Sequence, residues 1–143
     1  MDPDTPIGPP KDQPSTVTIT LYGEPGVNKN AFGEASPVDV WIFQLSDKDQ
    51  LMSTDFLTLS DDPKAALKTS YVSHKEKQVQ PGESSILPSW QLDEETTLIG
   101  VAVGYSNIEK INWRAVESVK STGEEYNILI PVRTKSVAIQ VHR

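Results

Sequence analysis

Cysteine is absent from the 143 residues, which excludes a disulfide framework, thiolate metal sites and a cysteine nucleophile. Its absence leaves the compartment open, because disulfides are an option rather than a rule for exported proteins. Histidine is nearly missing too. His74 and His142 are the only two, with no His-x-x-x-His spacing to begin a zinc site. No apolar run approaches the roughly 18 residues of a membrane-spanning helix. Positive charge is scarce, with 13 Lys and Arg against 20 Asp and Glu and a net charge of −7. That balance repels phosphate backbones and argues against nucleic acid as a partner. Neither a Gly-x-Ser-x-Gly elbow nor a phosphate-binding glycine loop is present. The acid groups at Asp61-Asp62, Asp93-Glu94-Glu95 and Glu124-Glu125 sit in polar, turn-like stretches, where solvated loops are a better reading than acid–base chemistry. No enzyme, cofactor, metal or small-molecule substrate is expected.

Proline, by contrast, is crowded at one end. Pro3, Pro6, Pro9, Pro10 and Pro14 fall among the first fourteen residues, beside a single sizeable aliphatic side chain, Ile7. Residues 1–15 therefore read as a flexible, mostly unfolded leader or linker of extended polyproline character, and residues 16–143 as a single domain. No positively charged start with an apolar stretch heads the leader. On that reading the protein is cytoplasmic or a signal has been cut away.

The body alternates as strands do. Val17, Ile19 and Leu21 share one face of a first strand, and in Pro37–Leu45 the residues Val38, Val40 and Ile42 oppose Trp41, Phe43 and Leu45. Leu98–Tyr105 is almost continuously apolar, as a strand covered on both sides is, with Gly100 and Gly104 on one face where a backbone or large ring can approach. Tyr126–Val132 and Val137–Val141 continue the pattern, and Tyr71–Gln80 and Trp113–Val119 are weaker candidates. Seven or eight short strands predict a β-sandwich. Between them, about residues 47–69, a small helical insertion is expected. It includes one short helix carrying Leu51, Met52, Phe56 and Leu59, and a second started by Ser60 as cap with Pro63 early.

Two features suggest binding surfaces. The connection between the first two strands, Gly23, Glu24, Pro25, Gly26, Val27, Asn28, Lys29, Asn30, Ala31, Phe32, Gly33 and on to Ser36, is long for a hairpin. Its apolar Val27 and Phe32 are either folded back or presented to a partner. Trp41, Trp90 and Trp113 suit the sandwich interior better than a carbohydrate platform.

Four segments resemble the TssJ (SciN, VasD) lipoprotein family of bacterial type VI secretion systems. They are Asn30–Leu45, with its Ser36-Pro37-Val38 and aromatic strand ending in Gln44-Leu45; Ser53–Leu59, with Asp55-Phe56-x-x-Leu59; Val79–Glu83, around Pro81-Gly82; and Ile99–Tyr105, followed by Trp113-Arg114. Their order and spacing cover residues 17–141. The resemblance implies a transthyretin-like two-sheet β-sandwich with an added helical segment and no catalytic activity. It implies an outer-membrane lipoprotein on the periplasmic side that docks the periplasmic C-terminal domain of the inner-membrane protein TssM through the loop between its first two strands. Carried over, that loop is Gly23–Gly33 and onward, with Val27, Asn28, Lys29 and Phe32 as the expected contacts. The family is anchored through a lipid-modified cysteine after a signal peptide. Against it, a chain starting at Met1 reads as a soluble form truncated near that cysteine, with the prolines as spacer. A carbohydrate- or peptidoglycan-binding sandwich is the alternative.

Overall fold

Val17, Ile19 and Leu21 point inward along strand β1 (Thr16–Gly23), and Val38, Val40 and Ile42 do so along β2 (Val38–Leu45). These two strands belong to different sheets. A computed structural model describes residues 10–143. After β2 come three short helices, α1 (Asp49–Ser53), α2 (Phe56–Asp61) and α3 (Pro63–Leu67), and a 3-10 turn at Lys68–Ser70. The remaining strands are β3 (Tyr71–Val79), β4 (Ser84–Ile86), β5 (Trp90–Gln91), β6 (Leu98–Val103), β7 (Arg114–Ser118), β8 (Glu125–Val132) and β9 (Gln140–His142), with a further 3-10 turn at Ile108–Lys110.

One sheet has the order β4-β1-β8-β9, with β5 also pairing β1; the other has the order β3-β2-β6-β7. The central pair β1–β8 is parallel, which demands the long crossover that the second sheet supplies. The inner faces meet in one apolar core that includes Val17, Ile19, Val40, Ile42, Val101, Ile128 and Ile130.

The opposite face of β2 is not open to solvent. Phe43 and Leu45, with Ala102 of β6, pack against Leu51, Leu59 and Leu67 of the three helices in a second core. The two faces read from the alternation of β2 therefore correspond to two layers of packing. Gly100 and Gly104 lie on the helix-covered face. A Cβ at Gly100 would lie 2.7 Å from Leu51 Cδ2, and one at Gly104 3.1 Å from the Phe56 ring and 3.3 Å from Trp41. The close approach expected of this face is made by a leucine and two aromatic rings.

Several expectations are corrected. Among the described residues nine strands form, against about seven or eight expected; β4 and β5 are three and two residues long, too short to carry an alternation. The last strand runs only over Gln140–His142, with Val137 in an isolated bridge to Val132. The helix expected to carry Leu51 through Leu59 is broken at Thr54-Asp55, where Asp55 caps α2 by accepting from Thr58 N. Ser60 does not cap α3. It lies within α2 with its hydroxyl donating to Leu57 O, and Asp62, whose backbone is extended, accepts from Ala65 N instead. Of the expected leader, residues 1–9 lie outside the described residues. From Pro10 the chain lies against the sandwich: Pro14 bridges Thr122, and Ser15 is fully buried with its N–H donated to Ser121 O.

The helical layer is tied down by Arg114. Its Nη1 donates to Leu51 O at 2.9 Å and Thr54 O at 2.5 Å, at the end of α1, and its guanidinium lies 4.5 Å from the Trp113 ring centroid. Both carbonyls are left without intrahelical partners by the end of the helix. Arg114→Met keeps the stem but removes the donors. It is expected to cost about 1.5 kcal/mol, the lower range for a bond to a charged group, read as a lower urea midpoint with unchanged slope.

Candidate functional site

The connection from β1 to β2 spans residues 24–37, and its two halves behave differently. The base is built into the domain. Gly23, where β1 ends, admits no side chain: a Cβ would lie 2.7 Å from Gln80 O. Glu24 donates its N–H to Val132 O, and its carboxylate accepts from both the N–H and the hydroxyl of Thr134 at 3.0 Å. A turn closed by Val27 N donating to Glu24 O at 3.0 Å then drops Val27 into the main core, fully buried. Val27, expected among the displayed contacts, is thus a structural anchor. A buried valine ahead of an exposed tip fixes where the tip leaves the sandwich.

Asn28 is the next fixed point. Its φ is 51°, a left-handed conformation that asparagine tolerates better than most residues. Its side chain is nearly buried; Nδ2 donates to Pro37 O at 2.9 Å, and Oδ1 accepts from Ser106 N at 2.8 Å. Ser36 adds a hydroxyl bond to Asn28 O and an N–H bond to Val27 O. These bonds lace the outgoing and incoming limbs together and tie both to the segment after β6.

Beyond this clasp the tip is exposed but not shapeless. Asn30 Oδ1 accepts from Phe32 N at 2.9 Å and Glu34 N at 3.1 Å, while Asn30 N donates to Glu34 O and Gly33 N to Asn30 O. Gly33 has φ +77°, a conformation that suits glycine. The result is a closed turn with Phe32 at its crest, 87% exposed. Pro25, Lys29 and Ala31 are exposed as well.

Sequence reasoning picked out Phe32 and Lys29 but missed the supports from outside the loop. Tyr105, buried after β6, directs its hydroxyl at Arg133 O (2.7 Å) and Ser136 O (2.9 Å), holding the turn that bears Thr134, the partner of Glu24. Burial, with the Glu24 charge nearby, pushes the Tyr105 hydroxyl well above its ordinary pKa of 10.0. Folding therefore favours the neutral phenol. That contribution is intact below pH 10 and fades as pH rises from there towards the folded-state value. Tyr105→Phe is expected to cost about 1 kcal/mol at neutral pH and to flatten part of the alkaline fall in stability, measured by urea unfolding from pH 7 to 11.

The tryptophans form no open platform. Trp41 and Trp113 each meet Phe56 edge-on, at 5.5 and 5.4 Å between centroids, and Trp41 Nε1 donates to Glu76. Trp90 lies under the Lys75 ammonium. All three are half-buried rather than fully inside. His74 Nδ1 is 2.7 Å from the Tyr71 hydroxyl, and among the described residues no three His, Asp or Glu side chains are grouped to hold a metal.

Comparison with known proteins adds to this geometry. A family model, T6SS-SciN, described as type VI secretion lipoprotein, VasD, EvfM, TssJ, matches residues 15–143. Curated proteins give no match. Among solved structures, the type VI secretion lipoprotein TssJ1 from Pseudomonas aeruginosa is similar at 25% identity and a TM-score of 0.83, with 91% of this chain and 98% of that one covered. A chain of a type VI membrane complex is similar at 25% identity and 0.76, with 90% and 99% covered. A chain in a structure described as the TssM C-terminal domain from EAEC shares the fold at 24% identity and 0.73, with 87% and 97% covered.

Proposed function

The chain belongs to the type VI secretion lipoprotein family that includes VasD and TssJ, a structural component of that system and not an enzyme, and from this premise we propose that its β1–β2 loop docks the periplasmic C-terminal domain of TssM. In this reading the protein stands on the periplasmic face of the outer membrane, held there by a lipid N-terminal to the folded domain, and helps anchor the trans-envelope complex. Among the described residues no helix is long and apolar enough to cross a membrane, so in this reading the lipid supplies the anchorage.

The observation that carries the reading is Phe32: a large aromatic, 87% exposed, on a turn whose backbone is already hydrogen-bonded closed. Leaving a ring in water has no structural benefit, whereas a pre-ordered aromatic is the kind of group that dominates a protein interface. A type VI membrane complex among the similar structures supports an assembly role. The test is calorimetric titration of TssM's periplasmic C-terminal domain into the native chain and a Phe32→Asp variant. Equal affinity would contradict the reading.

A further inference from the structure

Beside the loop lies a cleft whose charge runs against the rest of the molecule. Lys29 from the loop, Lys110 from the 3-10 turn after β6, and Lys135 from the turn after β8 surround a cleft of about 260 Å³, with Asn28, Asn107, Ile111 and Thr134 completing its walls. No Asp or Glu lines it, in a chain where acids outnumber bases 20 to 13. Among the described residues the only ion pairs are His74–Glu76 and Arg143–Glu124, so the three ammonium groups have no carboxylate partner there. The Glu24 carboxylate is already engaged by Thr134 on the cleft wall, so three ammonium groups lining one cleft favour a further anion there.

The cleft does not end at the lysines. Ile111 is shared with a wider groove of about 770 Å³ floored by Ile108, Ile111 and Trp113 and edged by Phe56 and Leu57 of α2. Leu57 is 80% exposed. Asp55 and Glu109, with Arg114, line this second part. A ligand reaching from one to the other over Ile111 thus meets three lysines on one side and a largely apolar lining on the other.

We propose that this continuous surface takes an extended segment of the docked protein partner, with two or more carboxylates over Lys29, Lys110 and Lys135 and an apolar side chain over Ile111 and Leu57. The inference deepens the docking reading above and rests on it, since Asn28 and Lys29 belong to both the loop and the cleft. A protein segment fits better than a phosphate. The cations are lysines rather than the forked guanidinium groups that grip phosphate in two places, and the apolar continuation has no use for a small anion.

The test reverses the charge of two exposed lysines outside the loop, Lys110→Glu with Lys135→Glu. The affinity for TssM's periplasmic C-terminal domain is measured at low and high salt, with thermal melts to verify the fold. The proposal expects about tenfold weaker binding at low salt, mostly through slower association, with a shallower salt dependence than the native chain. Binding that Phe32→Asp weakens and the lysine reversals leave unchanged overturns the cleft and spares the loop. Failure of the native chain to bind the domain overturns both. Vesicles of phosphatidylcholine with phosphatidylglycerol serve as the competing probe. Binding to them that the reversals abolish, with no effect on the protein partner, overturns the acidic segment and gives the lysines to lipid headgroups.

Discussion

Phe32→Asp is expected to weaken binding of TssM's periplasmic C-terminal domain by about thirtyfold or more, corresponding to about 2 kcal/mol, while leaving the melting curve of the isolated domain unchanged. The two halves of this expectation have separate causes. Phe32 contributes nothing to either core, being exposed at the crest of its turn. The contacts that close the turn are made by its backbone N–H and by Asn30, Gly33 and Glu34, so changing the ring leaves them in place. In the complex the ring is expected to be desolvated at the centre of the contact, where aromatic anchors typically cost 2 kcal/mol or more on truncation. Aspartate adds an unpaired charge to that lost area. Phe32→Leu should fall between the two, since it keeps apolar bulk but not the aromatic edge. A melting temperature lowered as much as by a core substitution would mean that Phe32 is structural.

Asn28→Ala is expected to be the most destabilising polar change in the loop, by about 3 kcal/mol. The side chain is nearly buried and bonds at both ends, so truncation removes two partly buried hydrogen bonds, to Ser106 N–H and Pro37 C=O, each worth about 1 kcal/mol. Alanine also sits poorly at φ 51°, adding about 1 kcal/mol. Asn28→Gly separates the two contributions: it removes the same bonds but accepts the left-handed backbone, so it should recover roughly the backbone share. Urea unfolding of the three proteins reads this directly. Both variants should also weaken partner binding, because the clasp that presents Lys29 to Glu34 would be loosened. The ordering Asn28→Ala below Asn28→Gly below native is the expected result. Equal stability of the two variants would show that the backbone conformation is not strained.

Much of the sandwich was legible because strand alternation states which face each side chain takes. In β2 it placed Val38, Val40 and Ile42 apart from Phe43 and Leu45, and these enter the two separate cores. Glycines on one face of β6 likewise announced a close approach, which Leu51, Phe56 and Trp41 make. The short strands β4 and β5 left no such mark. They are held by the register of their neighbour, β1, and a two- or three-residue element has no period to read. The loop was legible as an exception in length and as a bearer of Phe32. Its inner logic was not, because an apolar residue in a long loop reads the same whether it faces water or the core. Only the Glu24–Val27 turn, the left-handed Asn28 with its bond to Pro37, and the distant Thr134 and Ser106 decide that Val27 goes in and Phe32 stays out. Those partners are separated from the loop by up to 110 positions, beyond the reach of any local pattern. The tryptophans show the same limit: the interior was the better reading for them, yet two pack on Phe56 at the boundary between sheet and helices.

Amide hydrogen exchange of the native chain, with and without TssM's periplasmic C-terminal domain, reads docking by the loop without any substitution. Slowed exchange on binding is expected at the amides of Lys29 to Glu34, with the edges of β3 and β7 unchanged. Slowing confined to those sheet edges or to the helical layer, with the loop tip exchanging as fast as in the unbound chain, would contradict it.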